Sequence, residues 1–284
     1  MTMSVARGWA ALLVLGSAVT IAACGGSSSS ITRGATPASG TSPTTSGSAS
    51  SAFVSQANAA CAASYTTYGG VKETIGESYP LTGPTAGAGL AAGDAKAVQT
   101  EIGQLSSLSP PPGSEAKFAD LMSQLRARVA ADRQLQAAAT NQNRAADNAA
   151  RARLDAAIAQ GEADAAQIGL SACAGKGLSP QELAQAERAA TLTATRNDPA
   201  YCAQLYTPAA VKAQFGSVSK CLVAQRTGAG TATARSLTFA GSDGAGDYVI
   251  LHAIAHGGSL DGKRFSVFMY KQSGQWRVQD IELA

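Results

Sequence analysis

Residues 261–283 read DGKRFSVFMYKQSGQWRVQDIEL. The pattern has a period of two, and Ser273-Gly274 supplies a turn in its middle. It predicts two antiparallel strands, at about 262–271 and 275–283. Trp276 and Val278 alternate as a strand requires, but Ile281 and Leu283 fall out of phase. A β-bulge near Gln279-Asp280, one extra residue on that strand, restores the phase.

The same period reaches back to about residue 230 and gives two further strands, at about 231–240 and 246–256. In the second of these Tyr248, Ile250, His252 and Ile254 share one face. The glycine-bearing segment 257–262 is the turn after it. Ahead of the strands the signals are helical. Ser179-Pro180-Gln181-Glu182 combines a capping serine, a first-turn proline and a glutamate that completes a capping box, so a helix runs from there to about Thr195. Asp198-Pro199 and Thr207-Pro208 repeat the cap-and-proline signal, for short helices at about 199–206 and 208–215, the latter ending at Gly216. Helices followed by an antiparallel meander make residues 177–284 an α+β region with a four-stranded sheet.

Residues 52–176 read as a helical bundle. Phe53, Ala57, Cys61, Ser64, Tyr65 and Tyr68 recur at helical spacing, and Gly69-Gly70 is the expected end of that helix. Segment 69–87 is rich in Gly and Pro and is expected to be a loop. A second helix covers about 88–108 and stops at Pro110-Pro111-Pro112. Ser114 is the expected N-cap of a third, at about 115–142, whose stripe includes Phe118, Leu121, Leu125 and Val129. A fourth covers about 148–169, with Leu154 and Ile158 on its stripe and Gly169 as C-cap. Alanine dominates this core, and a buried alanine contributes little apolar area.

The N-terminus carries a different signal. Residues 19–30 read VTIAACGGSSSS. Residues 8–23 carry no charge and Arg7 precedes them, and sixteen residues fall short of the ~20 that a spanning helix needs. A short basic start and a short apolar run describe a secretory signal in residues 1–23. Residues 24–51 are Gly, Ser, Thr, Ala and Pro apart from a few others, too poor in apolar surface to fold, and are expected to be a flexible tether.

Five cysteines are present, Cys24, Cys61, Cys173, Cys202 and Cys221. With Cys24 set aside, four cysteines allow three pairings. Cys61 lies on the apolar face of the first helix and Cys173 follows the fourth, and those elements are neighbours in an antiparallel bundle. The expected pair is therefore Cys61–Cys173.

Three resemblances attach to these motifs. Ile21-Ala22-Ala23-Cys24 resembles the lipobox of bacterial lipoproteins, which implies cleavage between Ala23 and Cys24 and a diacylglyceryl anchor on Cys24. The bundle, with its proline break and the ending Ile168-Gly-Leu-Ser-Ala-Cys173, resembles helical domains in lipoproteins of high-GC Gram-positive bacteria, which carry no activity over. Residues 177–284, and 261–283 above all, resemble the nuclear-transport-factor-2-like (cystatin-like) superfamily, in which a curved sheet wraps a helix to form a cone with a pocket. That resemblance implies a second disulfide, Cys202–Cys221, and an inward-facing set drawn from Tyr248, His252, Tyr270, Asp280 and Asp243.

The chemistry legible in the chain is sparse. Net charge is +3, and the Arg-rich stretch 126–153 is interleaved with Asp132 and Asp147, which reads as a solvated helix face rather than a nucleic-acid patch. No cysteine pair has CxxC spacing, and His252 and His256, four apart on a strand, lie ~13 Å apart, so no metal site is expected. Gly228-Ala229-Gly230 and the glycines of 241–246 read as turns. No catalytic residue and no cofactor is expected. The expected function is non-enzymatic: an extracytoplasmic, lipid-anchored protein that binds a small apolar or envelope ligand or a protein partner. The alternative is an isomerase or hydrolase that uses the cone pocket.

Overall fold

The computed structural model describes residues 46–78, 84–195, 201–227 and 234–283. The signal segment 1–23, Cys24, most of the tether, Asp198-Pro199 and Gly228-Ala229-Gly230 lie outside the described residues. Helices come first and a sheet last, an α+β arrangement, and all described residues belong to one compact unit.

Four long helices open the chain: α1 (Ser46–Ser78), α2 (Pro84–Ser106), α3 (Glu115–Thr140) and α4 (Arg144–Gln167). α1 is longer at both ends than its sequence suggests: it begins at Ser46, inside the expected tether, and runs straight through Gly69-Gly70, so with α2 starting at Pro84 most of the loop expected at 69–87 is helix. The glycines serve packing there rather than termination. A Cβ on Gly69 would stand 2.6 Å from Tyr270 Cδ2 and 2.9 Å from Tyr248 Cδ2, so only glycine lets the two rings of the sheet lie against the helix. Ser114 occupies the N-cap of α3 but does not cap with its side chain; its hydroxyl donates back to the Pro111 carbonyl at 2.7 Å. Gly169, after α4, has a left-handed φ of 76°, as a C-terminal glycine should.

The disulfide Cys61–Cys173 ties α1 to the turn after α4 across 112 residues, with Cα atoms 5.0 Å apart. Around it Phe53, Val98, Leu105, Phe118, Leu121 and Leu170 form the core of the helical part. Phe53 and Phe118 meet edge to face at 5.3 Å.

The second half opens with α5 (Pro180–Thr195), whose capping box is complete: the Ser179 N–H and hydroxyl donate to Glu182 and the Glu182 N–H donates back to Ser179 Oγ at 3.3 Å. α6 (Tyr201–Gln204) and α7 (Pro208–Phe215) follow, with Thr207 Oγ1 accepting from the Ala210 N–H and Gly216 left-handed at the end of α7. α8 (Val218–Thr227), started by Ser217 Oγ accepting from the Lys220 N–H, had no strong sequence signal. It carries Cys221, which is bridged to Cys202.

The sheet is a simple antiparallel meander, in the order β1 (Ser236–Ala245), β2 (Tyr248–His256), β3 (Arg264–Gln272), β4 (Gln275–Leu283). The register of β3 on β4 shifts where Phe268 pairs Asp280 and Met269 pairs Val278, which leaves Gln279 as the extra residue of the bulge. A second shift lies between Phe239 and Gly241. One face of the sheet carries Val249, Leu251, Val267, Met269, Trp276 and Val278 against α5–α8 and forms a second core. The opposite face carries Tyr248, Ile250 and Tyr270 and turns toward α1.

α1 thus touches both cores. Its buried Glu73 accepts from the Ala209 N–H at the start of α7 and from Gln279 Nε2, and Gln279 also donates to the Gly69 carbonyl at 2.8 Å. The bulge that restored the phase of β4 therefore also turns an amide inward to hold α1.

Candidate ligand cavity

Polar residues occupy core-facing positions on the bundle helices. On α2 the run Asp94, Val98, Glu101, Leu105 steps by four, three and four residues. On α3 the run Leu121, Leu125, Arg128, Asp132, Leu135 does the same. Helical geometry puts each run on one stripe, so its charged members must enter the interior with the leucines. The expectation of a solvated face at 126–153 is corrected here. Arg126, Arg133, Arg144, Arg151 and Arg153 are exposed, but Asp132 is 1% exposed and Arg128 is mostly covered.

Those stripes line a partly open cavity of about 290 Å3 between α1–α4 and the α1-facing side of β1–β2. Tyr65, Tyr68 and Tyr248 line it together with Asp94, Glu101, Arg128, Glu162 and Asp243. Leu121, Leu125, Leu154, Ile158 and Ile250 supply the apolar part of the wall. A second cavity of about 280 Å3 adjoins it, shares Tyr68, Asp94 and Leu154, and adds Lys72, Asp132, Asp280 and Glu282.

The electrostatics of the first cavity centre on Arg128. It donates to both Asp94 oxygens, at 2.7 and 3.1 Å. Burial works against its charge, but the Asp94 carboxylate outweighs burial and holds the guanidinium protonated beyond its ordinary range. Asp132 meets the same Asp94 from the other side. Burial, then the charge of Asp94 and a hydrogen bond to it, push the Asp132 carboxyl up to about 8, so it carries a proton at neutral pH. Its Oδ2 has no hydrogen-bond partner.

Burial also pushes Glu101 up, against the opposing effects of Arg128 and a Ser64 hydrogen bond. Glu162 is raised by burial and by the nearby charge of Asp243. Burial raises all three tyrosines, which keeps their hydroxyls protonated. The Tyr248 ring is 1% exposed and stands edge-on to Tyr68 at 5.4 Å, and its hydroxyl has no hydrogen-bond partner. In the second cavity Lys72 is 3% exposed, pairs with Asp280 at 3.2 Å and lies 3.5 Å from the centre of the Phe268 ring. Burial lowers its pKa while Asp280 and Glu282 oppose that shift.

The residues singled out by sequence are thus distributed over several places. Tyr248 and Asp243 line the first cavity and Asp280 lines the second. Tyr270 is spent on packing against Gly69, and neither it nor His252 lines either cavity. Sequence reasoning missed Asp94, Glu101, Arg128 and Asp132, although their four-and-three spacing among leucines was the signal.

His252 has a different neighbourhood. Its Nε2 is 2.8 Å from Asp243 Oδ2 and its Nδ1 is 3.3 Å from Ser266 Oγ, while Lys176 pairs with the same Asp243 at 2.6 Å. A serine, an imidazole and a carboxylate in a row are the parts of a nucleophilic relay. Two features argue against one. β3 is an inner strand, so the N–H groups around Ser266 are committed to the ladders on both sides and none is left to hold an oxyanion. His252 and Ser266 also lie outside both cavities. Cys61, Cys173 and Glu101 place ligand atoms within 4.8 Å of one another, but both sulfurs are joined in the disulfide and are not metal ligands in that form.

No known protein family, curated protein or solved structure matches the chain.

Proposed function

We propose that the chain is a lipid-anchored, non-enzymatic protein of the cell envelope that holds one small ligand in the cavity between α1–α4 and the sheet. One observation carries the ligand reading: Tyr248 is part of that cavity's wall, and its buried hydroxyl has no hydrogen-bond partner. Leaving a buried hydroxyl unpaired costs ~1–3 kcal/mol, a cost that a ligand atom bonded to it removes. The surrounding leucines and convergent polar groups fit a small-molecule site.

The anchor reading is supported by the run VTIAACGGSSSS, which ends an uncharged segment at Cys24 and continues into a polar tract. Two disulfides agree with export, where such bonds persist. No described helix is long and apolar enough to cross a membrane. The likeness of residues 177–284 to the nuclear-transport-factor-2-like superfamily belongs to the same proposal, supported by the order of helices and meander. The sheet face under α5–α8 is occupied by Met269, Trp276 and their neighbours, so the ligand space proposed here lies on the other face.

Native mass spectrometry on the full chain, purified without denaturation from its host, tests the binding half: a bound mass that leaves on denaturation is expected. Membrane fractionation of Cys24→Ala tests the anchor. The variant is expected in the soluble fraction, and retention on the membrane rules out attachment through Cys24.

A further inference from the structure

We infer that the first cavity is built for a small organic cation, an ammonium group carrying an apolar chain. The inference rests on the ligand-binding reading above and adds the chemistry of the ligand.

Charge is the first argument. Four carboxyl groups line the cavity, those of Asp94, Glu101, Glu162 and Asp243, against one basic side chain, Arg128. Arg128 is committed to Asp94 through two hydrogen bonds. Asp243 is paired with Lys176 and His252. Glu101 and Glu162 have no salt-bridge partner among the described residues. Burial of these two carboxyls is unfavourable, Arg128 and, at Glu162, Lys176 offset it only in part, and a bound cation supplies the remaining counter-charge. An anion would meet the same carboxyls with no free arginine to receive it.

The aromatic groups are the second, independent argument. Tyr65, Tyr68 and Tyr248 all line the cavity, and aromatic rings attract ammonium groups to their faces. The Tyr248 hydroxyl, on a residue of the cavity wall, is buried without a partner, and a ligand N–H that reaches it supplies the missing hydrogen bond. Tyr65 Oη and Glu162 Oε1 converge on Gly175, whose added Cβ would stand 3.3 and 3.1 Å from them, so a phenol and a carboxyl sit together at that edge of the cavity. The leucine wall suits a hydrocarbon chain. A volume of about 290 Å3 is near the lower end of the roughly 300–1,000 Å3 of small-molecule sites, which limits that chain to a short one.

The test uses three probes of equal length, n-hexylammonium, hexan-1-ol and hexanoate, titrated calorimetrically into the dialysed full chain at neutral pH. The ammonium ion is expected to bind about tenfold more tightly than the alcohol, with no binding of the carboxylate. Glu162→Gln, a change at a half-buried position, is expected to weaken the ammonium ion about three- to tenfold and to leave the alcohol unchanged. Tyr248→Phe, which keeps the ring, is expected to weaken it as well. Equal affinity for alcohol and ammonium ion, or no effect of Glu162→Gln on the ammonium ion, overturns the inference. No ammonium binding by a chain that still carries a neutral or anionic mass in native spectra overturns the cation and leaves the ligand reading standing. No binding and no bound mass overturns both.

Discussion

Gly69→Ala sets two known effects against each other inside α1. Alanine is the better helix former, worth ~1 kcal/mol over glycine in a helix interior. Against this, the new Cβ would meet Tyr270 Cδ2 at 2.6 Å and Tyr248 Cδ2 at 2.9 Å. The Tyr270 ring is partly exposed and has room to turn aside. Tyr248 has not: it is 1% exposed and held edge-on by Tyr68. Overpacking of this kind costs ~1–3 kcal/mol, and the contact with the fully buried Tyr248 places it in the upper part of that range. The net loss is then ~1–2 kcal/mol. Gly103→Ala, on the exposed side of α2 with no atom within 4 Å of the new Cβ, has the propensity gain alone and is expected to stabilise by up to ~1 kcal/mol. Urea unfolding of both variants, with disulfides oxidised and m-values compared, isolates the steric part as the difference between them. A Gly69→Ala protein as stable as Gly103→Ala would mean that the sheet does not rest on α1 in this way.

Asp132→Asn is expected to flatten the pH dependence of stability. The folded Asp132 carboxyl titrates near 8, above its ordinary value, so folding takes up a proton between the two values. Stability from this group is full below the unfolded pKa and is lost as pH rises through about 8, with a slope of up to ~1.4 kcal/mol per pH unit. The asparagine variant is expected to be the more stable protein at pH 8, by on the order of 1–3 kcal/mol, and parallel stability curves for the two proteins count against the buried carboxyl. Replacing Cys61 and Cys173 by Ala is expected to cost more than replacing Cys202 and Cys221, about 4–5 against about 3 kcal/mol, because the separations are 112 and 19 residues; thermal or urea unfolding checks the order. Turnover of p-nitrophenyl acetate is expected to be the same for the protein and for Ser266→Ala, since no oxyanion donors accompany the serine. A large fall in the variant restores the hydrolase alternative.

The sheet was largely legible because a period of two leaves little freedom: the meander, the hairpin at Ser273-Gly274 and the bulge at Gln279 all follow from which face each side chain must take. The capping box at Ser179 and the caps at Thr207 and Gly216 were legible for a local reason, since their partners lie within four residues. Gly69-Gly70 was not. A helix-breaking pair and a helix that needs a bare surface look alike until the tyrosines that press on it are known, and those lie about two hundred residues away. Arg128 and Asp132 were placed on a solvated face because charge usually means solvent. Their position on the leucine stripe was the stronger signal, and Asp94 on the next helix is the partner that makes burial tolerable. Ser114 shows the limit of cap reading in a proline-rich turn, where a nearby carbonyl competes for the hydroxyl.

The most direct measurement of the central claim is a high-resolution crystal structure of the chain purified gently from its own host, inspected at the Tyr248 hydroxyl. The expected result is continuous density for a non-protein molecule within hydrogen-bond distance of that oxygen, lying along Leu121, Leu125 and Leu154 with a polar end toward Glu101 or Glu162. A cavity filled by ordered water alone, with Tyr248 bonded to one of those waters, would contradict it.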